Sequence, residues 1–427
     1  SLSVCGLGDV YKRQVQKAEK NFYGNDNLKG YLGITEILKV ELMHRIADTY
    51  GPLVYHQLGE TPRVYGLQEA YTRFFADLDE GQQLIREYLD EGGDNNKFKE
   101  YDMLTNGKTL KEWLKFANSL RLRLAMRISN VDATLAKDQA TKALNDNQGV
   151  LEGARETIAV MGKNYINPLC AVAGWGEVYM NASMESIING YEDPRGKKWY
   201  NTALLEGYQK QLLGIPIGLP MKDGDANIYS FCSSLNTSTI GEKTGAVLMS
   251  AAEVWLLRAE AALRGYTKEN PRTCYEYGVS TSFTQWDCAG ASEYLESDKT
   301  PADYKDVVSG GKVGKDMKAL ITISPKWEED ADIETKLEKI ITQKWLACWP
   351  ESYEAWAEQR RTGYPKLFKV QNNTGKVIDT DIMIRRLPFS TDAATADPAQ
   401  YATLTEKLGG ADNGATRLWW DTGKNSF

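Results

Sequence analysis

Hydrophobic and polar residues alternate with a helical period near the end of the chain, most clearly over residues 339–365. Aromatic residues recur there at intervals of four, four and three positions, which places them on one side of a helix; they are Trp345, Trp349, Tyr353 and Trp356. The polar side carries Lys344, Glu351, Glu354 and Glu358. Pro350 predicts a kink or a second helix, and Gly363 predicts the C-terminal end. We interpret the segment as an amphipathic helix whose rings form a buried packing face.

The same period predicts further helices at residues 31–50, 67–91, 109–129, 132–146, 251–266 and 272–286. Thr109 and Glu112 match a capping box at the start of one of them. Taken in order, the helices pair into four hairpins, at residues 31–91, 109–146, 251–286 and 334–361. Stacked hairpins indicate a mainly α fold, a superhelix of tetratricopeptide (TPR) type.

Glycine and proline interrupt the pattern between residues 147 and 250, where one short helix is predicted at 175–189. Long irregular segments of compact proteins often carry function, so we predict a loop-rich, ligand-facing insertion there. The predicted domains are an extraneous terminus at 1–14, hairpins 1 and 2 at 15–146, the insertion at 147–250, hairpins 3 and 4 at 251–365 with a polar insertion at 287–333, and an irregular C-terminal segment at 366–427 that packs on the scaffold.

The composition argues against several classes of protein. A net charge of -7 and a pI near 5.3 disfavour nucleic acid as a partner. No apolar run reaches the roughly 18 residues that a membrane-spanning helix needs. The chain has 2 histidines and 6 cysteines, and the cysteines form no CxxC pair. We therefore expect no metal site, no cofactor and reduced cysteines.

Motifs for catalysis are missing from the sequence. Neither GxSxG, HExxH, a P-loop nor an EF-hand spacing occurs. The densest carboxylate groups are Glu351 with Glu354 and the run at 328–330, but glycoside hydrolysis needs two carboxylates facing one cleft. Asp193 and Arg195 are interpreted as a turn with a local ion pair. A basic cluster at Arg121, Arg123 and Arg127 predicts either a solvated face or internal ion pairs.

Aromatic residues of the irregular region are the candidate ligand contacts, because the C–H faces of sugars stack on such rings. Loop rings can point to solvent without leaving a hole in the core, and amides can bond hydroxyl groups. The candidates are Trp175, Tyr179, Asn181, Tyr191, Trp199, Tyr200 and Tyr229, together with Trp286 at the end of a helix.

Several segments, in this order, resemble the SusD/RagB family of nutrient-binding outer-membrane lipoproteins of Bacteroidetes. They include IADTYGPLVY at 46–55, the helix AAEVWLLRAEAA at 251–262, Gln343-Lys-Trp345, Glu354-Ala-Trp356, Arg360-Arg-Thr-Gly363 and Arg385-Arg-Leu-Pro388. The resemblance covers roughly residues 30–390. It implies a TPR-like superhelix with an inserted ligand-binding region.

The resemblance also implies a function, which is non-catalytic capture of nutrient oligosaccharides, or peptides in some members. The captured ligand would pass to a TonB-dependent, SusC-like transporter in the outer membrane. Family members carry a lipidated cysteine ahead of the first helices. We expect that N-terminal lipid anchor to be absent from this chain, and part of the ligand site to be absent with it.

Two other classes of function remain open. An α/α-toroid glycoside hydrolase would also be helical, acidic and rich in Trp and Tyr, although it needs about twelve alternating helices and the pattern predicts eight. A generic TPR scaffold for a protein partner would present a smooth groove without a loop-built pocket.

Overall fold

The residues that the structure describes are mainly α-helical and form two small antiparallel sheets. A computed structural model describes residues 4–102, 104–105, 107–162, 165–220, 227–375 and 377–427, with side chains from residue 13 onward. The helices are α1 (Val4–Phe22), α2 (Lys29–Tyr50), α3 (Leu67–Asp90), α4 (Leu110–Arg127), α5 (Ala133–Leu144), α6 (Pro168–Ala173), α7 (Ala182–Tyr191), α8 (Gly196–Trp199), α9 (Ala251–Leu263), α10 (Pro271–Gln285), α11 (Ala291–Leu295), α12 (Ile333–Ala347), α13 (Ser352–Thr362), α14 (Ala393–Ala396) and α15 (Pro398–Leu408). The strands are β1 (Leu53–Tyr55), β2 (Arg63–Tyr65), β3 (Ile158–Val160) and β4 (Ala246–Met249), which pair as β1–β2 and β3–β4.

Backbone contacts divide the chain into two compact units. Unit 1 combines Ser1–Asp102, Gly107–Leu151 and Val377–Lys424. Unit 2 combines Met103–Asn106, Glu152–Lys376 and Asn425–Phe427. Unit 2 therefore holds nearly all of the irregular stretch in which the ligand contacts were predicted. The finer division into five segments stays a prediction.

The four predicted hairpins are present as packed helix pairs, namely α2 with α3, α4 with α5, α9 with α10 and α12 with α13. Helices α2 and α3 come close where each contributes a glycine. A Cβ atom on Gly33 would lie 2.5 Å from the carbonyl oxygen of Gly81, so a side chain there would force the helices apart. The capping box is also present, since the Glu112 amide donates to Thr109 Oγ1 at 3.2 Å and the Thr109 amide donates to Glu112 at 2.7 Å. The prediction of a mainly α, hairpin-built fold is confirmed.

The basic cluster of α4 lies inside unit 1, where all three arginines are buried. Arg121 lies 2.6 Å from Asp79, and Arg127 Nε lies 3.2 Å from Asp48. Burying a guanidinium is tolerated when a carboxylate neutralises it and accepts its hydrogen bonds. Of the two alternatives, internal ion pairs are confirmed and the solvated face is wrong.

Pro350 separates α12 from α13, as predicted, and the predicted packing face is confirmed for Trp345 and Trp349, which pack against the buried core of unit 2. It is wrong for Tyr353, which is 54 % exposed. Three residues of the predicted polar side are buried as well, and there Lys344 Nζ lies 2.7 Å from the Glu354 carboxylate and 3.3 Å from that of Glu358. Mutual pairing offsets the cost of removing these charges from water. The two helices thus direct charged side chains toward the interior of unit 2.

Two expectations about the irregular regions are also corrected. The helix predicted at 175–189 begins only at Ala182, because the Asn181 side chain accepts a hydrogen bond from the Met184 amide at 2.9 Å and caps that end. The tail after residue 366 contains α14 and α15, and Asp397 caps α15 just ahead of Pro398.

The described residues also bear on the cysteines and on the membrane. Five cysteines are unbridged, namely Cys170, Cys232, Cys274, Cys288 and Cys348. The side chain of Cys5 lies outside the described residues. Within those residues, no helix combines the length and the apolar character that crossing a membrane requires.

Candidate functional site

Trp175 is the most exposed of the predicted ligand contacts, with 68 % of its surface open to solvent. It follows the short helix α6 in unit 2, which begins at Asn167 and Pro168. The Asn167 side chain accepts a hydrogen bond from the Leu169 amide at 3.0 Å, and Pro168 occupies the first helical position. The helix ends at Gly174, so the indole projects from a helix end and does not pack beneath the helix. We call residues 165–179 the Trp175 loop.

Hydrogen bonds fix the Trp175 loop at both ends. The Asn167 amide donates to the carbonyl of Glu242 at 2.8 Å, and Asn167 Nδ2 donates to that of Thr244 at 2.9 Å. At the other end, Tyr179 forms an antiparallel bridge with Ser234, and within the loop Tyr179 Oη donates to the carbonyl of Gly176 at 2.6 Å. Gly176 has a φ of 73°, which glycine adopts without strain, and the chain turns back there. The loop therefore holds Trp175 outward through its backbone and needs no core contact from the indole.

Two apolar residues near Trp175 in sequence, Met161 and Ile166, are also exposed. Apolar residues that are exposed singly are ordinary on a protein surface, so these two do not by themselves mark a contact surface. Neither was among the predicted contacts, because no local pattern in the sequence marks an aliphatic residue as exposed.

Tyr179 and Asn181 have structural partners of their own. Tyr179 is half-buried and forms an antiparallel bridge with Ser234. Asn181 uses its side-chain oxygen to cap α7 and forms a parallel bridge with Ile215. These two residues connect the Trp175 loop to the body of unit 2.

Three other candidates, Trp199, Tyr200 and Trp286, meet in one aromatic cluster around Trp349. The Trp199 and Trp349 rings stack with centroids 4.9 Å apart and planes at 19°. The Trp286 ring contacts these two rings edge-on, with its centroid 5.9 Å from that of Trp199 and 5.2 Å from that of Trp349. Trp349 Nε1 donates to Tyr200 Oη at 3.1 Å. Trp199 is fully buried, so we interpret this cluster as core packing. Through Trp349 it connects the irregular stretch to the aromatic face of residues 339–365.

Tyr191 and Tyr229 are buried as well. Tyr191 Oη donates to the carbonyl of Ile323 at 3.0 Å, and Tyr229 Oη donates to Asp306 at 3.0 Å. Burial raises the pKa of both phenols, so the hydroxyls stay protonated as donors.

The expectation that loop rings point to solvent is therefore wrong for four candidates, which are Tyr191, Trp199, Tyr200 and Tyr229. The irregular stretch contains few helices that could supply a core of their own. Its large rings therefore pack against α10, α12 and the loops around these two helices. Contact of any candidate with a ligand remains a prediction.

The charged groups singled out in the sequence have structural partners. Glu351 caps α13 by accepting hydrogen bonds from the amides of Tyr353 and Glu354, at 3.1 Å and 2.9 Å. Asp193 and Arg195 form a buried pair at 2.6 Å, which confirms the predicted turn with a local ion pair. In the run at 328–330, Glu328 lies 3.0 Å from Lys339, and all three residues are exposed. Glu351, Asp193 and Arg195 therefore stabilise the fold, and the run at 328–330 lies at the surface.

One acidic cluster among the described residues has the spacing of a cation site, and it lies in unit 1. It consists of Glu36, Asp77 and Glu80. Lys39 pairs with Glu36 and lies 3.4 Å from Asp77. Burial raises the pKa of Glu36 to about 8. The Lys39 ammonium thus supplies the positive charge that this cluster needs.

Comparison with known proteins gives a consistent result. The model of the family described as "SusD-like: Susd and RagB outer membrane lipoprotein" matches residues 7–421. No curated protein sequence matches the chain.

Solved structures agree with the family model. A SusD homologue from Bacteroides vulgatus superposes with a TM-score of 0.93 at 55 % identity, over 97 % of this chain and 83 % of that chain. A chitin-binding SusD homologue from Flavobacterium johnsoniae gives 0.90 at 34 %, over 99 % and 87 %. A SusD homologue from Bacteroides uniformis gives 0.85 at 33 %, over 95 % and 84 %.

Proposed function

We propose that this chain, which belongs to the SusD-like family, captures oligosaccharides without catalysis. We further propose that a sugar stacks on the ring of Trp175. The observation that carries the proposal is the 68 % exposed indole on a hydrogen-bonded loop of unit 2. The flat indole offers a large apolar face to the C–H groups of a pyranose. A fixed loop loses little conformational entropy when the sugar binds.

The other candidates are proposed to support the site and not to contact the ligand directly. Tyr179 and Asn181 support the Trp175 loop from its C-terminal side through the contacts described above. The buried rings Tyr191, Trp199, Tyr200 and Tyr229, with Trp286, belong to the packed scaffold of unit 2. The chitin-binding relative supports a carbohydrate ligand, and chitin oligosaccharides are accordingly the first to test.

Binding is favoured over glycoside hydrolysis by the state of the carboxylates. A hydrolase needs two carboxylates that face one cleft, one of them ready to protonate the leaving oxygen. Glu351 is occupied as a helix cap, and the Glu354 carboxylate lies 2.7 Å from Lys344. Release of reducing sugar by the purified protein would contradict the proposal.

Transport and anchoring complete the proposed function. The family description names outer-membrane lipoproteins, so we propose that the full-length protein is lipid-anchored there and delivers its ligand to a SusC-like, TonB-dependent barrel. Palmitate labelling of the protein expressed from its native gene should modify it, and an affinity tag on it should retain the barrel. An unlabelled protein, or a tag that retains no barrel, would contradict this part.

The capture itself is tested by electrophoresis through gels that contain glycol chitin, xylan or amylopectin. At least one polysaccharide should retard the protein. The Trp175→Ala variant should lose about 1 kcal/mol or more of affinity and keep its melting temperature. Leu204→Ala is the matched control, since Leu204 is also a highly exposed apolar residue of unit 2. Equal loss in both variants, or no retardation of the unmodified protein, would overturn the proposal.

A further inference from the structure

Helices α9 and α10 carry a second pair of aromatic rings at the surface of unit 2. Trp255 on α9 and Tyr277 on α10 stack with centroids 4.8 Å apart and planes at 30°. The helices can approach this closely because Gly278 has no side chain. A Cβ atom there would lie 2.6 Å from Leu256 Cγ. The position next to Tyr277 therefore sets the distance between the two rings.

Polar contacts hold Trp255 in place. Its Nε1 donates to the carbonyl of Glu152 at 2.9 Å, and the Arg258 guanidinium carbon lies 3.6 Å from the ring centroid. Arg258 is itself fixed, because Nη1 donates to the Glu152 carboxylate at 2.7 Å and Nε donates to Glu269 at 3.0 Å. Tyr277 thus rests on an indole that a hydrogen bond and a cation–π contact both restrain.

Tyr277 remains 53 % exposed in spite of this support. Between residues 232 and 319, all of which are described, it is the only large hydrophobic side chain with that degree of exposure. Protein interfaces and membrane surfaces use several apolar anchors in a contiguous patch. Tyr277 is the one exposed large apolar residue in its part of the sequence, and its ring matches the apolar face of one pyranose.

The rim of the ring pair supplies hydrogen-bonding groups. The Glu152 side chain is 54 % exposed and that of Glu269 is 29 % exposed, so both side chains are partly open to solvent beside the ring pair. Thr273 and Thr281 lie one turn before and after Tyr277 on α10, on the same side of the helix. Carboxylates and hydroxyls at the edge of an aromatic ring are the partners that sugar hydroxyls require.

We infer that Trp255, Arg258 and Tyr277 form a second saccharide-stacking platform, separate from the Trp175 loop. The inference rests on the proposed function, because it assigns an additional contact to the same class of ligand. A polysaccharide that engages both surfaces, on one chain or on neighbouring chains, dissociates more slowly than a short oligosaccharide that engages one. The Tyr277 platform would therefore raise the affinity for polymers more than the affinity for fragments.

The test compares Tyr277→Ala and Tyr277→Phe in the gels containing glycol chitin, xylan or amylopectin and in titrations with trisaccharide fragments of the same three glycans. Tyr277→Ala should weaken the interaction with the retarding polymer roughly fivefold and leave the fragment affinity within about twofold. Tyr277→Phe keeps the ring and should behave like the unmodified protein. Tyr353→Ala is the matched control, because Tyr353 is a helical tyrosine of unit 2 with 54 % exposure.

The outcomes separate the two proposals. If the unmodified protein is retarded and Tyr277→Ala is retarded equally, the second platform is overturned and glycan capture stands. If Tyr277→Phe loses as much as Tyr277→Ala, or Tyr353→Ala loses as much, stacking on this ring is also overturned. If none of the three polymers retards the unmodified protein, glycan capture fails and the second platform fails with it. The melting temperature of each variant should stay unchanged, since an exposed ring contributes little to the core.

Discussion

Trp175 and Trp199 belong to the same irregular stretch of unit 2, yet one indole is 68 % exposed and the other is fully buried. Trp175 follows the end of a short helix on a loop that backbone hydrogen bonds hold. Trp199 ends α8 and stacks on Trp349, which lies 150 positions further along the chain. The difference shows that a loop position does not decide exposure. A ring is buried when another part of the fold supplies a matching surface for it.

The helical segment around Pro350 shows that a regular helix does not decide exposure either. Its tyrosine, Tyr353, faces solvent, while Lys344 and Glu354 on the polar side are buried as an ion pair. Arg361 extends the buried charges by pairing with Glu260 at 2.6 Å. Regular helical structure therefore fixes which residues share a side, and the neighbouring helices select the side that faces inward.

The largest expected effect concerns the buried indole. Trp199→Ala should lower the free energy of unfolding by about 3–5 kcal/mol, because it removes a fully buried ring and leaves a cavity. Chemical denaturation of this variant and of Trp175→Ala measures the contrast, and Trp175→Ala should cost less than about 0.5 kcal/mol. Trp349→Ala should couple to Trp199→Ala in a double-mutant cycle, since the two rings touch. Similar stability of the Trp175 and Trp199 variants would remove the basis of the comparison.

The second effect concerns the buried ion pair. Lys344→Met should cost about 3 kcal/mol, because it removes a buried ammonium that lies 2.7 Å from the Glu354 carboxylate. Glu358 keeps Arg361 as a partner, which limits the loss. The double variant Lys344→Met/Glu354→Gln removes the charge of both partners of the pair and should recover part of the stability. A double variant that is less stable than Lys344→Met would show that the pair is not the main source of the effect.

A third effect depends on pH. Burial raises the pKa of Glu185 to about 8, and its carboxylate accepts a hydrogen bond from the Gly214 amide. The folded state then holds a proton that the unfolded state releases near pH 4.5. Stability from this group is therefore complete below pH 4.5 and is lost as pH rises toward 8, with a slope of up to about 1.4 kcal/mol per pH unit.

Denaturation of Glu185→Gln between pH 5 and pH 8 checks this sign. The variant should show a flatter pH dependence than the unmodified protein. Glu36 in unit 1 has a pKa raised to about 8 by burial and contributes in the same direction, so Glu36→Gln should flatten the curve independently. An unchanged slope in both variants would contradict the prediction.

The smallest effect concerns ligand affinity. Trp175→Ala should weaken binding of the retarding polysaccharide by about 1 kcal/mol, roughly fivefold, because one stacking surface is lost. Isothermal titration measures the loss, and the melting temperature should not change. Trp175→Phe keeps an aromatic face and should retain most of the affinity. Loss of stability without loss of affinity would place Trp175 in the scaffold and not at the ligand.

Local interactions explain how much of this fold could be predicted. The helical period and the proline and glycine breaks predicted the four helix pairs, and Thr109 with Glu112 predicted a cap that is present. Asp193 and Arg195 are two positions apart, so their ion pair was also predictable. The Trp175 loop was a candidate from the sequence, but its exposed neighbours Met161 and Ile166 were missed, since no local pattern marks an aliphatic residue as exposed.

The sequence by itself determined the helices of the four hairpins and their pairing, because backbone hydrogen bonding and the apolar period depend on residues a few positions apart. Only the tertiary structure decided that Trp199 meets Trp286 and Trp349, that Lys344 is buried, and that Tyr277 rests on Trp255 at the surface. Burial depends on whether distant segments supply a matching ring or an opposite charge. That supply is a property of the assembled fold and is not encoded in any single stretch of the chain.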